Sequence, residues 1–193
     1  MEDQNPTWRA ALHYLSATVI LAVYGVQVCP FLETLTTGQL VLPILLALGV
    51  QYVLRGPLRA RFVDGAAFQK QTFMVFKIEY GLFLASGVFL TVFNTMMYGF
   101  PLTSGLKVII GLATLGFFAS IDLALEWQRK LVEHFSRTGH HMQVDENYFP
   151  LTGKLGLFTS ISVVCIMGVV VLVINKDLIW LSEVGRTLSY EKA

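Results

Sequence analysis

The sequence carries little charge. Only 14% of its 193 residues are Asp, Glu, Lys or Arg, whereas 54% are hydrophobic and the mean hydropathy is +0.61. About a quarter of the residues in a soluble domain are charged, so this shortage predicts an integral membrane protein. The net charge of +1 also provides no basic surface for nucleic acid, which excludes that class of partner.

The sequence also lacks a disulfide framework and the common catalytic motifs. Its two cysteines are Cys29, at the end of one apolar run, and Cys165, in the middle of another, so we expect them at different depths and unpaired. It contains no nucleophile elbow, phosphate-binding glycine loop, HExxH or CxxC. We therefore predict that the chain is not an enzyme.

Long apolar runs fill most of the chain and predict an all-α membrane protein with about five transmembrane helices. A helix needs about 20 apolar residues to cross a hydrocarbon core ~30 Å thick. Runs of this kind make residues 1–175 a polytopic membrane domain, with spans at about 10–29, 36–54, 73–98, 105–127 and 155–174. The third and fourth spans are joined by a short turn and should form a central antiparallel hairpin. Residues 176–193 are either an interfacial helix or the lead-in to a missing segment.

The distribution of lysine and arginine predicts the orientation in the membrane. The N-terminus and the loops after the second and fourth spans hold nine of these residues: Arg9, Arg55, Arg59, Arg61, Lys70, Arg129, Lys130, Arg137 and Lys154. The opposite side holds four: Lys107, Lys176, Arg186 and Lys192. Because cytoplasmic loops carry the excess of basic residues, we expect the N-terminus in the cytoplasm.

Charged residues at the ends of the central hairpin are the best candidates for function, because ionisable groups in membrane helices are costly. Antiparallel pairing brings Lys77 and Glu79 to the same leaflet as Asp122 and Glu126. We expect Lys77 to pair with Asp122. We expect Glu79 to share a polar layer with Gln51, Tyr52, Tyr80 and His13. Such a layer either holds the hairpin together by ion pairs, or binds a ligand head group, relays protons or couples helix movement.

The histidines leave a haem or metal site weakly supported. A membrane b-type haem commonly uses two histidines that face each other, but His13 is the only histidine inside a predicted span. The sequence therefore predicts no cofactor, with a haem b held by His13 and a loop histidine as the lesser option. The adjacent His140 and His141 are metal-ligand types without diagnostic spacing, so no metal is predicted.

Small residues at three- and four-residue spacing indicate where helices approach closely. Ala113, Gly116 and Ser120 follow this spacing in the fourth span, as do Gly81 and Ala85 in the third. The pattern predicts a tight seam within the hairpin, and homodimerisation is the other use of such stripes.

Short phrases of the sequence resemble the multi-span N-terminal regions of bacterial nucleotide cyclases and related signalling proteins. The likeness lies in residues 54–61, 100–108 and 116–126 and covers about two thirds of the chain. It implies a bacterial cytoplasmic-membrane module that senses a signal and passes it to an output domain. No output domain is present in this sequence, which is a departure from the family.

These observations are compatible with three functions. The first is a non-enzymatic membrane sensor or anchor, surrounded by the lipid bilayer and associated as a homo-oligomer or with other membrane proteins. The alternative is an accessory subunit of a larger, energy-transducing membrane complex, packed around the cofactors of other chains. A small transporter or proton channel that uses Glu79 and Asp122 is a third interpretation.

Overall fold

The computed structural model describes residues 7–138 and 151–191, and the regular elements in this part of the chain are helices joined by short turns. The helices are α1 (Thr7–Val28), α2 (Pro30–Glu33), α3 (Thr37–Phe62), α4 (Phe68–Tyr98), α5 (Leu102–Thr138) and α6 (Leu151–Glu191). All except α2 are long and apolar enough to cross a membrane. The predicted all-α fold with five membrane-spanning helices is therefore confirmed.

The α4–α5 hairpin makes the most extensive helix contact in the described chain, with α1 and α3 packed beside it. Gly99 ends α4 in the left-handed conformation (φ 67°), which a residue without a Cβ adopts without strain, and its N–H donates to the carbonyl of Thr95 at 3.0 Å. Helix α5 begins three residues later. We call the end of the bundle that holds this turn and α2 the turn end, and the end where α1 begins the basic end.

Helix α3 continues further than the sequence suggested. Its start is fixed by a capping box between Thr36 and Gln39. The sequence predicts that the span ends at Leu54 and that a basic segment follows, but the helix runs through Gly56 and Pro57 to Phe62. The placement of Arg55 and Arg59 in a loop is therefore wrong, and both are buried helical residues.

The seam of the hairpin uses only part of the predicted small residues. Gly116 and Ser120 of α5 are buried, and a Cβ built at Gly116 would lie 2.7 Å from Cγ of Phe83 in α4. On the α4 side, Gly81 and Ala85 are exposed, so the prediction that they line the seam is wrong. Gly87 takes that place, since a Cβ there would lie 3.2 Å from the backbone of Ile109.

Helices α5 and α6 are longer than their predicted spans. Helix α6 has 41 residues and passes through Asn175–Asp177 without a break. Residues 176–191 therefore continue the helix of the last span rather than forming a separate interfacial helix.

Candidate functional site

A carboxylate lies buried at the basic end of the bundle, where three helices meet. Glu79 of α4 is 0% exposed. Its Oε1 accepts a hydrogen bond from Nε of Arg55 at 3.0 Å and lies 2.9 Å from Nη2 of Arg59, both on α3. Its Oε2 accepts a hydrogen bond from the hydroxyl of Tyr14, on α1, at 3.0 Å. We call Tyr14, Arg55, Arg59 and Glu79 the Glu79 cluster.

The spacing along α3 explains how two arginines reach one carboxylate. Arg55 and Arg59 are four residues apart, so they lie on the same helix face one turn from each other. Gln51 is one turn earlier on that face, and its amide donates to the backbone carbonyl of Leu82. The face therefore presents a row of hydrogen-bond donors to α4.

The cluster also reaches the fourth helix of the bundle. The guanidinium of Arg59 lies 5.6 Å from the ring centroid of Trp127, on α5. The guanidinium of Arg55 lies 5.9 Å from the ring of Tyr52. Aromatic faces attract cations, so these rings help to stabilise the second positive charge, which Glu79 alone does not balance.

Two buried guanidinium groups around one carboxylate form a costly arrangement. Moving an ion from water into a low-dielectric interior costs several kcal/mol, and an ion pair repays this only with good geometry and further hydrogen bonds. In the Glu79 cluster that compensation comes from two other helices, through Tyr14 and Trp127. Apolar residues of similar volume would pack these helices at equal or lower cost.

A second group of charges, the Asp122 network, joins α1 to α5 at the same end. Arg9 donates from Nε and Nη2 to the two carboxylate oxygens of Asp122 at 2.8 and 2.6 Å. It also donates from Nη1 to Glu126 at 3.2 Å. Nε2 of His13 lies 2.7 Å from Oδ2 of Asp122. The side chains of Arg9 and Asp122 are each 34% exposed, so water screens this pair more than the Glu79 cluster.

The two groups of charges form one polar layer across the bundle. On α1, His13 of the Asp122 network is adjacent to Tyr14 of the Glu79 cluster. On α5, Glu126 is adjacent to Trp127, which contacts Arg59. A movement of α1 or α5 would therefore change the contacts of both groups.

The structure does not pair Lys77 with Asp122, so that prediction is wrong. Lys77 is exposed, and its ammonium lies 4.5 Å from the ring centroid of Phe73, four residues earlier in α4. The positions of Lys77 and Asp122 along their helices predict the same depth in the membrane. They do not show that the two side chains point in different directions. The cation beside Asp122 comes instead from α1, as Arg9.

The other predicted site residues are distributed across the layer. Glu79, Asp122, Glu126 and His13 belong to it. Gln51 lies beside it. Tyr80 does not join Glu79, because its ring packs against Phe76 and Phe117.

Four members of the layer were missed as site residues: Arg9, Tyr14, Arg55 and Arg59. Arg9 had been assigned to the N-terminal side as an orientation signal. The four-residue spacing of Arg55 and Arg59 was the available signal for the other two arginines, since it would place both on one face of a continued helix.

The cofactor predictions concern His13, His140 and His141. His13 contacts Asp122, whereas His140 and His141 lie outside the described residues. Within 7–138 and 151–191, no group of three His, Cys, Asp or Glu residues could hold a metal ion. The prediction of no cofactor, with haem b as the lesser option, stays a prediction.

Exchanging Asp122 for alanine tests the corrected pairing. We expect Asp122→Ala to lower the free energy of unfolding by about 1 kcal/mol, because the pair with Arg9 is bidentate but a third exposed. In a double-mutant cycle measured by thermal unfolding in detergent, Arg9→Met should couple to Asp122→Ala. Lys77→Met should add to it within about 0.5 kcal/mol. If Asp122→Ala instead couples to Lys77→Met, the pair of Lys77 with Asp122 exists after all.

Comparison with known proteins agrees with the multi-span architecture. Residues 13–193 match the family model MASE10, and the chain belongs to this family of membrane-associated sensor domains. It is 27% identical over 172 residues to a cyclic di-GMP phosphodiesterase of Vibrio cholerae serotype O1. That alignment covers 88% of this chain but 34% of the Vibrio protein. No solved structure matches the chain.

These matches confirm two predictions from the sequence. The resemblance to the N-terminal membrane regions of signalling proteins is confirmed, and the chain is a non-enzymatic, multi-pass membrane sensor module in contact with the lipid bilayer. The chain spans about a third of the length of the Vibrio relative, so the activity for which that protein is named belongs to a longer molecule.

Proposed function

We propose that this chain is the sensory part of a bacterial second-messenger signalling protein, and that the polar layer passes a change in helix packing to an attached output domain. In this proposal the chain performs no catalysis of its own. The observation that carries it is the convergence of α1, α3 and α4 on the buried carboxylate of Glu79. The Vibrio relative, which is named for cyclic di-GMP hydrolysis, supports the class of output.

The geometry of the Glu79 cluster suits a coupling role. Tyr14, Arg55 and Arg59 contact the two oxygens of one carboxylate from two different helices. If α1 or α3 slides or rotates against α4, at least one of these contacts is lost in a site that water does not reach. Such a loss is costly, so the bundle should favour discrete helix arrangements over continuous deformation.

A chimera tests the proposal. Residues 1–193 would replace the aligned membrane region of the Vibrio phosphodiesterase, and cellular cyclic di-GMP would be measured at matched protein levels. We expect Tyr14→Phe to change the output several-fold, because it removes the hydrogen bond to Glu79 Oε2 while keeping the ring contacts with Tyr52 and Phe83. That loss is worth only about 1 kcal/mol, so the bundle should remain folded.

The matched control is Val88→Leu, a change on an exposed face of α4. It should leave cyclic di-GMP unchanged. The parent chimera must first give a cyclic di-GMP level that differs from that of the free phosphodiesterase domain. If Tyr14→Phe and Arg59→Lys then give the same level as the parent chimera, the polar layer does not couple to the output domain.

We also propose that the protein lies in the bacterial inner membrane with its N-terminus in the cytoplasm. Five crossings then leave residue 193 on the outer side, so an output domain that follows it reaches the cytoplasm through a sixth crossing. Arg9, Arg55 and Arg59 on the N-terminal side and Lys176 on the other side make ion pairs between helices, so we no longer count them as loop charges. Six of the nine basic residues on the N-terminal side remain, against three of the four on the other. The bias keeps its sign but is smaller. Labelling of an Arg129→Cys variant from outside intact cells would reverse the assignment.

A further inference from the structure

Between Phe158 and Leu178, helix α6 leaves most of its surface uncovered by the part of the chain that the structure describes. Its membrane-spanning segment, Phe158–Leu178, is the most apolar of the five, and none of its most apolar stretch is buried. One side of the helix contacts the bundle. There Phe158 packs on Phe117 and Phe118, and the ammonium of Lys176 donates to the carbonyl of Val26 at 2.7 Å.

Helix α6 is also about twice as long as a membrane requires. Its 41 residues extend about 60 Å at 1.5 Å per residue, against a hydrocarbon core of ~30 Å. Lys176 forms an ion pair with Glu33 of α2 at 2.9 Å, and two charged groups of this kind place the edge of the hydrocarbon near that level. Beyond Lys176 the helix continues to Glu191, where lipid chains do not cover apolar side chains.

An apolar stripe runs along the uncovered side and past that edge. Its members alternate three- and four-residue spacings, and each is more than half exposed: Val164, Met167, Val171, Ile174, Leu178 and Leu181. We call these residues the α6 stripe. In the sequence the same spacing continues to Gly185 and Leu188. A repeat of 3.5 residues is the pattern by which two helices wrap around each other in a left-handed coiled coil.

We propose that the α6 stripe packs against the α6 stripe of a second copy of this chain. Two copies inserted with the same topology present their α6 helices parallel and at the same depth, so identical stripes meet in register. The 3.5-residue period is the one that such a contact requires. Lipid could cover the part of the stripe inside the membrane, but it does not cover Leu181, which is 56% exposed beyond Lys176.

This surface is independent of the polar layer, which lies between α1, α3, α4 and α5. A dimer through α6 would bring together whatever segments follow the two helices. An experiment that contradicts the proposed coupling role therefore does not contradict the dimer, and an experiment that contradicts the dimer does not contradict the coupling role.

Disulfide formation between single cysteines tests the contact. In membranes of a variant with Cys29 and Cys165 replaced by serine, one cysteine at a time would be placed along residues 163–181 and oxidised. We expect dimer yield to peak at the stripe positions. The sharpest comparison is Met167→Cys with Ile166→Cys, because these neighbours have the same depth and similar exposure, 58% and 56%, but point about 100° apart.

The expected ratio of dimer yields at these two positions is at least fivefold, with Leu181→Cys as high as Met167→Cys. Equal yields at 166 and 167 would indicate random collision and overturn the proposal. Peaks on another face, absence of dimers at every stripe position, or cross-links to a protein of different mass would also overturn it.

A second change tests the part of the stripe outside the membrane. Leu181→Lys, combined with Val171→Cys, should reduce dimer yield at least threefold, because two lysines would face each other in register. Glu183→Lys is the control and should leave the yield unchanged, because residue 183 takes the position of the 3.5-residue repeat farthest from the stripe. An unchanged yield in Leu181→Lys would overturn the contact beyond the membrane edge.

Discussion

Replacing Glu79 with glutamine should lower the free energy of unfolding by roughly 3–5 kcal/mol, the cost of removing one partner from a buried ion pair. Glutamine has nearly the shape of glutamate but no charge. The change therefore leaves Arg55 and Arg59, which are 4% and 5% exposed, as two adjacent cations without a carboxylate. Thermal unfolding of the purified protein in detergent measures the loss.

The matched control removes a cation from the same cluster. Arg59→Met leaves Arg55 and Glu79 as a neutral pair, so it should cost about 1–2 kcal/mol, mainly through the lost contact with Trp127. Combining both changes should cost less than their sum, because only one arginine then remains unbalanced. If Arg59→Met destabilises the protein as much as Glu79→Gln, charge balance does not control the stability of this cluster.

The sequence identified Glu79 as a site residue but not its partners, and the reason is physical. A carboxylate inside an apolar run is visible from the sequence, since its burial is costly wherever it lies. Its two arginine partners can be identified only if α3 is known to continue past Pro57. Proline often ends helices in soluble proteins, but neighbouring helices satisfy the freed backbone groups in membrane bundles. The contacts of Arg55 and Arg59 with Glu79 stabilise the continued helix. They are tertiary contacts, so the local sequence around Pro57 does not predict them.

Asp122 shows a second limit of sequence reasoning. Its depth in the membrane followed from its position in α5, and the structure places it in the polar layer as expected. The choice between Lys77 and Arg9 as its partner depends on rotation of α4 about its axis and on the docking of α1. Arg9 is 113 residues away in sequence, and nothing local to either residue encodes that contact.

The sequence predicts a membrane span within helix α6. It does not predict which helices contact α6 or how far the helix extends. Lipid chains are as apolar as leucine, so hydropathy identifies a membrane helix without showing which of its faces meets protein. Asn175, Lys176 and Asp177 resembled an end signal. In the structure the ammonium of Lys176 finds a backbone carbonyl of α1 and a carboxylate of α2, so the polar triplet marks a docking point within a continuous helix.

The second large effect is expected at the seam of the hairpin. Gly116→Leu should lower the free energy of unfolding by about 3 kcal/mol or more, the upper part of the range for overpacked interiors. Even a Cβ at Gly116 would lie 2.7 Å from Cγ of Phe83, and Phe83 is fully buried against Tyr14, with ring centroids 5.0 Å apart. The ring has little room to retreat, so α4 and α5 must separate.

Gly81→Leu is the control, because it makes the same chemical change on the exposed side of α4, where an added Cβ has nothing within 4 Å. It should be neutral or stabilise the protein by up to about 1 kcal/mol, since leucine favours a helix more than glycine does. Both variants would be unfolded thermally in detergent beside the parent. Because Phe83 also contacts Tyr14 of the Glu79 cluster, Gly116→Leu should disturb the polar layer as well as the seam. Equal stability of the two leucine variants would show that α4 and α5 are not closely packed at Gly116.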